Sequence, residues 1–337
     1  MEICYLLAFP DLDDGNAPSA EKFRALKDAP YFEPIDIDLV TLGDETVVIE
    51  GYAVHVTRQR YDGRVQMVEC RFDLKDPFAA SVLQDRTRIQ SALQSRTIPA
   101  EYRQNGMFEE YSILLVEQVK PEPDQWIEKN ALGLANFIRS QRDVFDKSET
   151  EDILLSRVRY SKKELTIVDW EGAVIISPES DFESDIVLLK IGNYQLLRYR
   201  MLDQSVEVML DRIRDDFVEN KKRPFRPGPS RNNIRQVIRH RLEVMIDFER
   251  TEQSLLLIGD WYTAKLYEVI RDEFYLEDWK SSVRDKLDNV QSIISTIQEN
   301  FSLTWSGLME RVELAGWIIL LIGYFILFAL EDLAIFK

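Results

Sequence analysis

The sequence predicts an α+β N-terminal domain followed by a long antiparallel three-helix bundle, coiled-coil in character, ending in one C-terminal transmembrane helix. Three observations predict it. Short strand-like runs alternate with helices up to about residue 180. From Asp181 onward, apolar residues recur at helical spacing almost without a break. Leu314 to Leu330 then carries no charge, and a helix of 17 such residues can just cross a hydrocarbon core. The expected organisation is an α+β domain over 1–180, a helical stalk over 181–313, a transmembrane helix over 314–330 and a short tail over 331–337.

Ile3 to Phe9 is a compact apolar strand closed by Pro10. Val47 to Arg58 and Arg64 to Leu74 flank Tyr61-Asp62-Gly63, and Asp-Gly between two alternating runs signals a hairpin. Asp76-Pro77 opens a helix to about Ser95, because proline is well placed in a first turn. Tyr111 to Val119 reads as a buried strand, and a helix follows Pro123 to about Arg142. Asp143 to Asp152 is a charged linker candidate. Strands are expected at Ile153 to Tyr160, Glu164 to Asp169 and Ala173 to Ile176, giving a mostly antiparallel sheet.

The second half reads as three helices. The first runs from about Phe182 to Asn220 and stops at a segment holding Pro224, Pro227 and Pro229. The second runs from Ser230, a fair N-cap, to about Phe274. The third starts near Glu277, and Val283, Leu287, Val290, Ile294, Ile297 and Phe301 follow a strict 3–4 spacing, a coiled-coil seam. At about 1.5 Å per residue all three are roughly 55–65 Å long, and matched helices with short loops pack antiparallel.

The chain has 337 residues and a net charge of −17, which disfavours general nucleic-acid binding. Cys4 and Cys70 fall on predicted strands and read as buried apolar residues. With them His55 and His240 make no zinc-ligand spacing. Asp11-Leu12-Asp13-Asp14-Gly15-Asn16 lacks the third and twelfth ligands of a calcium loop and reads as a turn. Asp36 and Asp38 are spaced for acid–base work, but nothing marks a pocket around them. There is no phosphate loop, dinucleotide fingerprint, zincin helix or nucleophile elbow. No catalytic, cofactor-binding or metal-binding residue is expected, and the chain is read as non-enzymatic and free of cofactors.

Two groups of residues stand out for contacts. Lys221, Lys222, Arg223, Arg226, Arg231 and Arg235, with Arg239 and Arg241 beyond, are a basic patch in an acidic chain. They pair with acids of the bundle, or meet a partner or anionic lipid headgroups at about 1 kcal/mol each. Leu287, Val290, Ile294 and Ile297 on the seam, with Gly316 and Gly323 one heptad apart on the apolar run, are expected to join copies of the chain.

Arg311-Val312-Glu313-Leu314 before the apolar run resembles the YagE family, whose members include those named for meiotic nuclear division, and Asp169-Trp170-Glu171-Gly172-Ala173-Val174-Ile175-Ile176 with Tyr194-Gln195-Leu196-Leu197-Arg198-Tyr199-Arg200 is similar to related bacterial membrane proteins. The acidic residue that family often carries inside the run is absent, Gly323 and Tyr324 standing there. The resemblance implies a membrane-anchored, oligomeric, non-enzymatic protein. The N-terminus is not a signal peptide, so the expectation is a tail-anchored, single-pass membrane protein with its bulk in the cytoplasm. The expected function is a self-associating scaffold or interaction protein, a homo-oligomer with a further protein partner through the α+β domain. The alternative is a membrane effector whose α+β domain senses a signal. A sensor should present a concave polar pocket in the N-terminal half, and a scaffold none.

Overall fold

The computed structural model describes residues 1–11, 21–22, 37–120, 122–141, 145–221, 231–253 and 261–335, with backbone alone over 21–22, 80, 216–221, 231–237, 250–253, 297–312, 325 and 327–335. Among the described residues nine strands form one sheet: β1 (Glu2–Pro10), β2 (Glu21–Lys22), β3 (Asp38–Ile49), β4 (Tyr52–Tyr61), β5 (Val65–Asp73), β6 (Glu109–Val116), β7 (Arg157–Arg159), β8 (Leu165–Val168) and β9 (Gly172–Ile176). Their order is β2-β3-β4-β5-β1-β6-β9-β8-β7. All neighbours are antiparallel except β6 and β9, which run parallel with Ser112 opposite Gly172.

Local chemistry explains the connections. Asp62 and Gly63 both take positive φ, as a two-residue hairpin with the right twist requires, and they join β4 to β5. At Gly172 a Cβ would lie 2.8 Å from the Ser112 carbonyl oxygen, so glycine lets β9 close on β6. β1 lies at the middle of the sheet, and Ile3 to Phe9 is buried on both faces, which is why it reads as an unbroken apolar run.

The first helices are α1 (Ala80–Thr97), α2 (Ala100–Asn105), α3 (Pro123–Ile138) and α4 (Lys147–Ile153). Ile89 and Leu93 of α1 and Ile127, Leu134 and Phe137 of α3 share one core with Ile3, Tyr5 and Leu7 of β1. The charged stretch expected to be a linker holds α4. Asp146 accepts from the Glu149 amide and Glu149 returns a bond to the Asp146 amide, a capping box that starts a helix in an acidic segment. The strand expected from Ile153 is accordingly cut to the three residues of β7.

The remaining helices are α5 (Glu183–Lys221), α6 (Arg231–Gln253), α7 (Trp261–Glu273) and α8 (Leu276–Ile335). The helix expected from Ser230 to about Phe274 is described over α6 and α7, and residues 254–260 lie outside the described residues. α8 runs 60 residues as one helix. The chain divides into two compact units, residues 1–204 with 246–283, and 205–245 with 284–337.

In the first unit α5 crosses the second face of the sheet. Lys190 pairs with Glu69 of β5, Tyr194 donates to Asp62 at 2.5 Å, and Arg200 pairs with Glu109 of β6. Gly192 permits the close approach of α7, because a Cβ there would lie 2.5 Å from Ile270. In the second unit Val206, Met209 and Ile213 of α5, Val244 of α6, and Leu287, Val290 and Ile294 of α8 are buried.

One expectation is overturned here. Among the described residues no helix is long and apolar enough to cross a membrane. The C-terminal transmembrane helix, the tail anchor and the single-pass membrane localisation are therefore withdrawn.

Candidate functional site

The described part of the first unit holds a cleft of about 610 Å³, inside the ~300–1,000 Å³ range of small-molecule sites. Six stretches of chain build it. α1 offers Thr87, Gln90, Ser91 and Gln94, whose spacing sets them on one helical face. The start of β6 brings Glu109, Glu110, Tyr111 and Ser112, with Gly106 and Phe108 just before it. Ser140 follows α3, Trp170 and Glu171 form the turn between β8 and β9, Asn193 and Leu196 come from α5, and Phe274 follows α7.

The wall is organised by hydrogen bonds. Gln94 Nε2 donates to Tyr5 Oη at 2.8 Å and to Glu110 Oε2 at 2.6 Å, and Tyr5 Oη donates to Glu110. Gln90 Nε2 donates to Ser112 Oγ at 2.7 Å, and Tyr111 Oη to the Asp169 carbonyl at 2.8 Å. Arg200 holds Glu109 together with the carbonyls of Gly106 and Phe108. Arg139 holds Asp169 at 2.9 Å and reaches Glu171 at 3.7 Å.

Arg86 lies under this wall, 1% exposed, and among the described residues it meets no carboxylate. It donates to the Phe137 carbonyl at 2.9 Å and to Ser140 Oγ at 2.6 Å, with its guanidinium 4.3 Å from the centre of the Phe137 ring. Burial pushes its pKa down to about 10. Ser140 adopts a left-handed backbone, φ 53°, which serine adopts rarely, and the Arg86 bond ties that turn in place.

Burial also raises the pKa of Glu109, Asp169 and Glu171, with Arg200 and Arg139 opposing it. Burial, then the nearby Glu110 carboxylate, pushes the Tyr5 hydroxyl far above its ordinary range. Glu110 differs from its neighbours: it is exposed, and among the described residues it pairs with no cation. An aromatic edge completes the cleft. Trp170 packs 6.3 Å from Phe274 and 5.7 Å from Tyr275, ring centre to ring centre, and keeps 37% of its surface exposed.

None of these residues was expected as a site. The sequence signal available was weak: polar Thr87, Gln90, Ser91 and Gln94 at 3–4 spacing on one helix, and paired acids where β6 begins. The residues that were expected stand elsewhere. Leu287, Val290 and Ile294 are 4%, 0% and 5% exposed within the single chain. Gly316 and Gly323 have open space at their Cβ positions. The side chains of Ile297, Lys221, Lys222, Arg223, Arg226, Arg231 and Arg235 lie outside the described residues, as do Asp36 and all but Asp11 of the calcium-like turn. Asp38 sits at the start of β3, its amide bonded to Asp62. Cys4 and Cys70 are free thiols at 0% exposure. His240 lies 3.6 Å from Glu243 on α6. Among the described residues no three His, Cys, Asp or Glu side chains are arranged to hold a metal ion.

A family profile described as Uncharacterized protein MJ0711, N-terminal domain, matches residues 14–183. A protein of Methanocaldococcus jannaschii, named Uncharacterized protein MJ0711, is 24% identical over 215 residues, 64% of this chain and 65% of the relative. The match thus spans less than two thirds of that relative's length. No solved structure matches. The profile covers half of the chain, and the chain belongs to the MJ0711 N-terminal domain family. The resemblance to the YagE family is thereby corrected: the short apolar stretches that carried it are common to many helical proteins.

Proposed function

We propose that this member of the MJ0711 N-terminal domain family is a non-catalytic, ligand-responsive interaction protein, whose first unit takes up a small polar molecule in the cleft. The observation that carries the reading is the cleft itself, concave and polar, with an aromatic edge. The polar pocket that separates a sensor from a plain scaffold is thus present in this unit. Its walls are fixed in advance by Arg86, Arg139 and Arg200, and preorganised polar groups favour binding because little ordering remains to be done.

Thermal shift of the intact chain against a panel of small amines, sugars, nucleosides and carboxylates tests this. At least one compound should raise Tm, with a concentration dependence that yields a Kd. Ser91→Trp, placed on the exposed face of α1 to fill the cleft, should abolish that shift while leaving Tm without ligand nearly unchanged. A panel without a binder, or a shift indifferent to Ser91→Trp, contradicts the reading.

Self-association through the second unit belongs to the same proposal. The large apolar side chains described between Leu314 and Ile326 of α8 are 50–73% exposed. Consecutive residues from Trp317 to Ile322 point to every side of a helix, so covering them takes more than one neighbouring helix. Further copies of α8 supply those neighbours, with Gly316 and Gly323 leaving room for close approach.

A further inference from the structure

Resting on the reading of the cleft as a binding site, we infer that its ligand is a small organic cation rich in hydrogen-bond donors, a primary amine above all. The inference comes from what the lining has already spent. The amide nitrogens of Gln90 and Gln94 and the hydroxyl of Tyr111 are committed inside the wall, and Arg200 is turned onto Glu109 and two carbonyls. Among the described residues no lysine or arginine lines the cleft.

The strongest groups left open to a ligand among the described residues are acceptors. Asn193 is 3% exposed and lines the cleft; its amide nitrogen donates to the Leu189 carbonyl at 2.8 Å, and among the described residues its Oδ1 accepts nothing. That oxygen is left open to accept a hydrogen bond from a ligand in the cleft. Glu110 adds a carboxylate that meets no cation among the described residues, while Glu109 and Glu171 each have an arginine. Trp170 presents an aromatic face of the kind that attracts a positive charge. An anion would meet Glu110 and find no free guanidinium. A neutral polyol would leave the Glu110 charge unanswered.

Isothermal titration calorimetry of the intact chain with spermidine, citrate and adenosine decides it. Spermidine should bind with one-to-one stoichiometry. Glu110→Gln should weaken it by at least about tenfold, and Asn193→Leu, which keeps the volume and removes the acceptor, should weaken it severalfold. Glu110 is exposed, so Glu110→Gln keeps the fold, and equal Tm for the variant and the parent chain confirms this. An acidic chain attracts polyamines loosely, so spermidine binding at several sites, or binding indifferent to Glu110→Gln, overturns the inference. Binding of citrate or adenosine without spermidine overturns the cation class and leaves the cleft reading standing. Absence of binding by all three overturns the inference, and the wider thermal-shift panel then decides the cleft reading separately.

Discussion

Two buried cations show how far single residues set this fold. Lys190, with its side chain 6% exposed, pairs with Glu69, itself held by Arg71. Among the described residues Arg86 meets a carbonyl, a hydroxyl and an aromatic face. Burial alone would push the Glu69 carboxyl up, but Lys190 and Arg71 outweigh it and hold its pKa below the model-compound value of 4.5. A carboxyl with a lowered folded pKa contributes stability that is present above its unfolded value and lost as pH falls through the folded one. Glu69→Gln should therefore reduce the unfolding free energy at pH 7 by about 3 kcal/mol, since it leaves Lys190 buried with its main counter-charge gone. It should also flatten the loss of stability below pH 4.5. Urea titrations at pH 7 and across the acid range measure both. Glu109 carries the opposite sign. Its folded pKa lies above 4.5, so its contribution to stability declines as pH rises through that folded value, and Glu109→Gln removes this decline. The hairpin at Asp62-Gly63 and the burial of Cys4 and Cys70 were legible in the sequence because each depends on its own few residues. Arg86 was not, because an arginine on a helix reads as a solvated residue until the fold shows what covers it.

At the scale of elements, the helices were legible by apolar period and their ends less so. Asp146 and Glu149 read as linker charges, yet they form the box that starts α4. The parallel pairing of β6 with β9 was invisible, because the two strands are joined through α3, α4 and two further strands and no local turn encodes it. The packing of α5 on α7 depends on Gly192, with Ile270 and Phe274 against it at 2.5 and 3.1 Å from a built Cβ. Gly192→Ala would gain about 1 kcal/mol of helix propensity. The displaced core side chains should more than cancel that, for a net loss of about 1–2 kcal/mol. Phe274 lines the cleft, so the same variant should also weaken ligand binding. Unfolding in urea and titration with the bound compound measure the two effects, and a variant at least as stable as the parent chain would show that the helices have room to spare.

For the whole molecule, the apolar content of Leu314 to Leu330 was plain in the sequence, yet among the described residues no helix is long and apolar enough to cross a membrane. What the run requires is cover. Light scattering of the full chain at micromolar concentration should give a multimer, and Trp317→Ser with Leu321→Ser should shift it toward monomer; a monomeric parent chain would remove the self-association proposal. The cleft escaped sequence reading because its residues are scattered from Thr87 to Phe274 and converge only through the sheet order and the course of α5. Its role as a binding site is the central claim, and amide hydrogen exchange tests it most directly. The intact chain is compared with and without the panel compound that raises Tm most. Protection should grow at Glu109–Ser112, at Trp170–Glu171 and around Asn193–Leu196 together, three segments distant in sequence that share only the cleft. Protection confined to other segments, or unchanged at these three under saturating compound, would contradict the account.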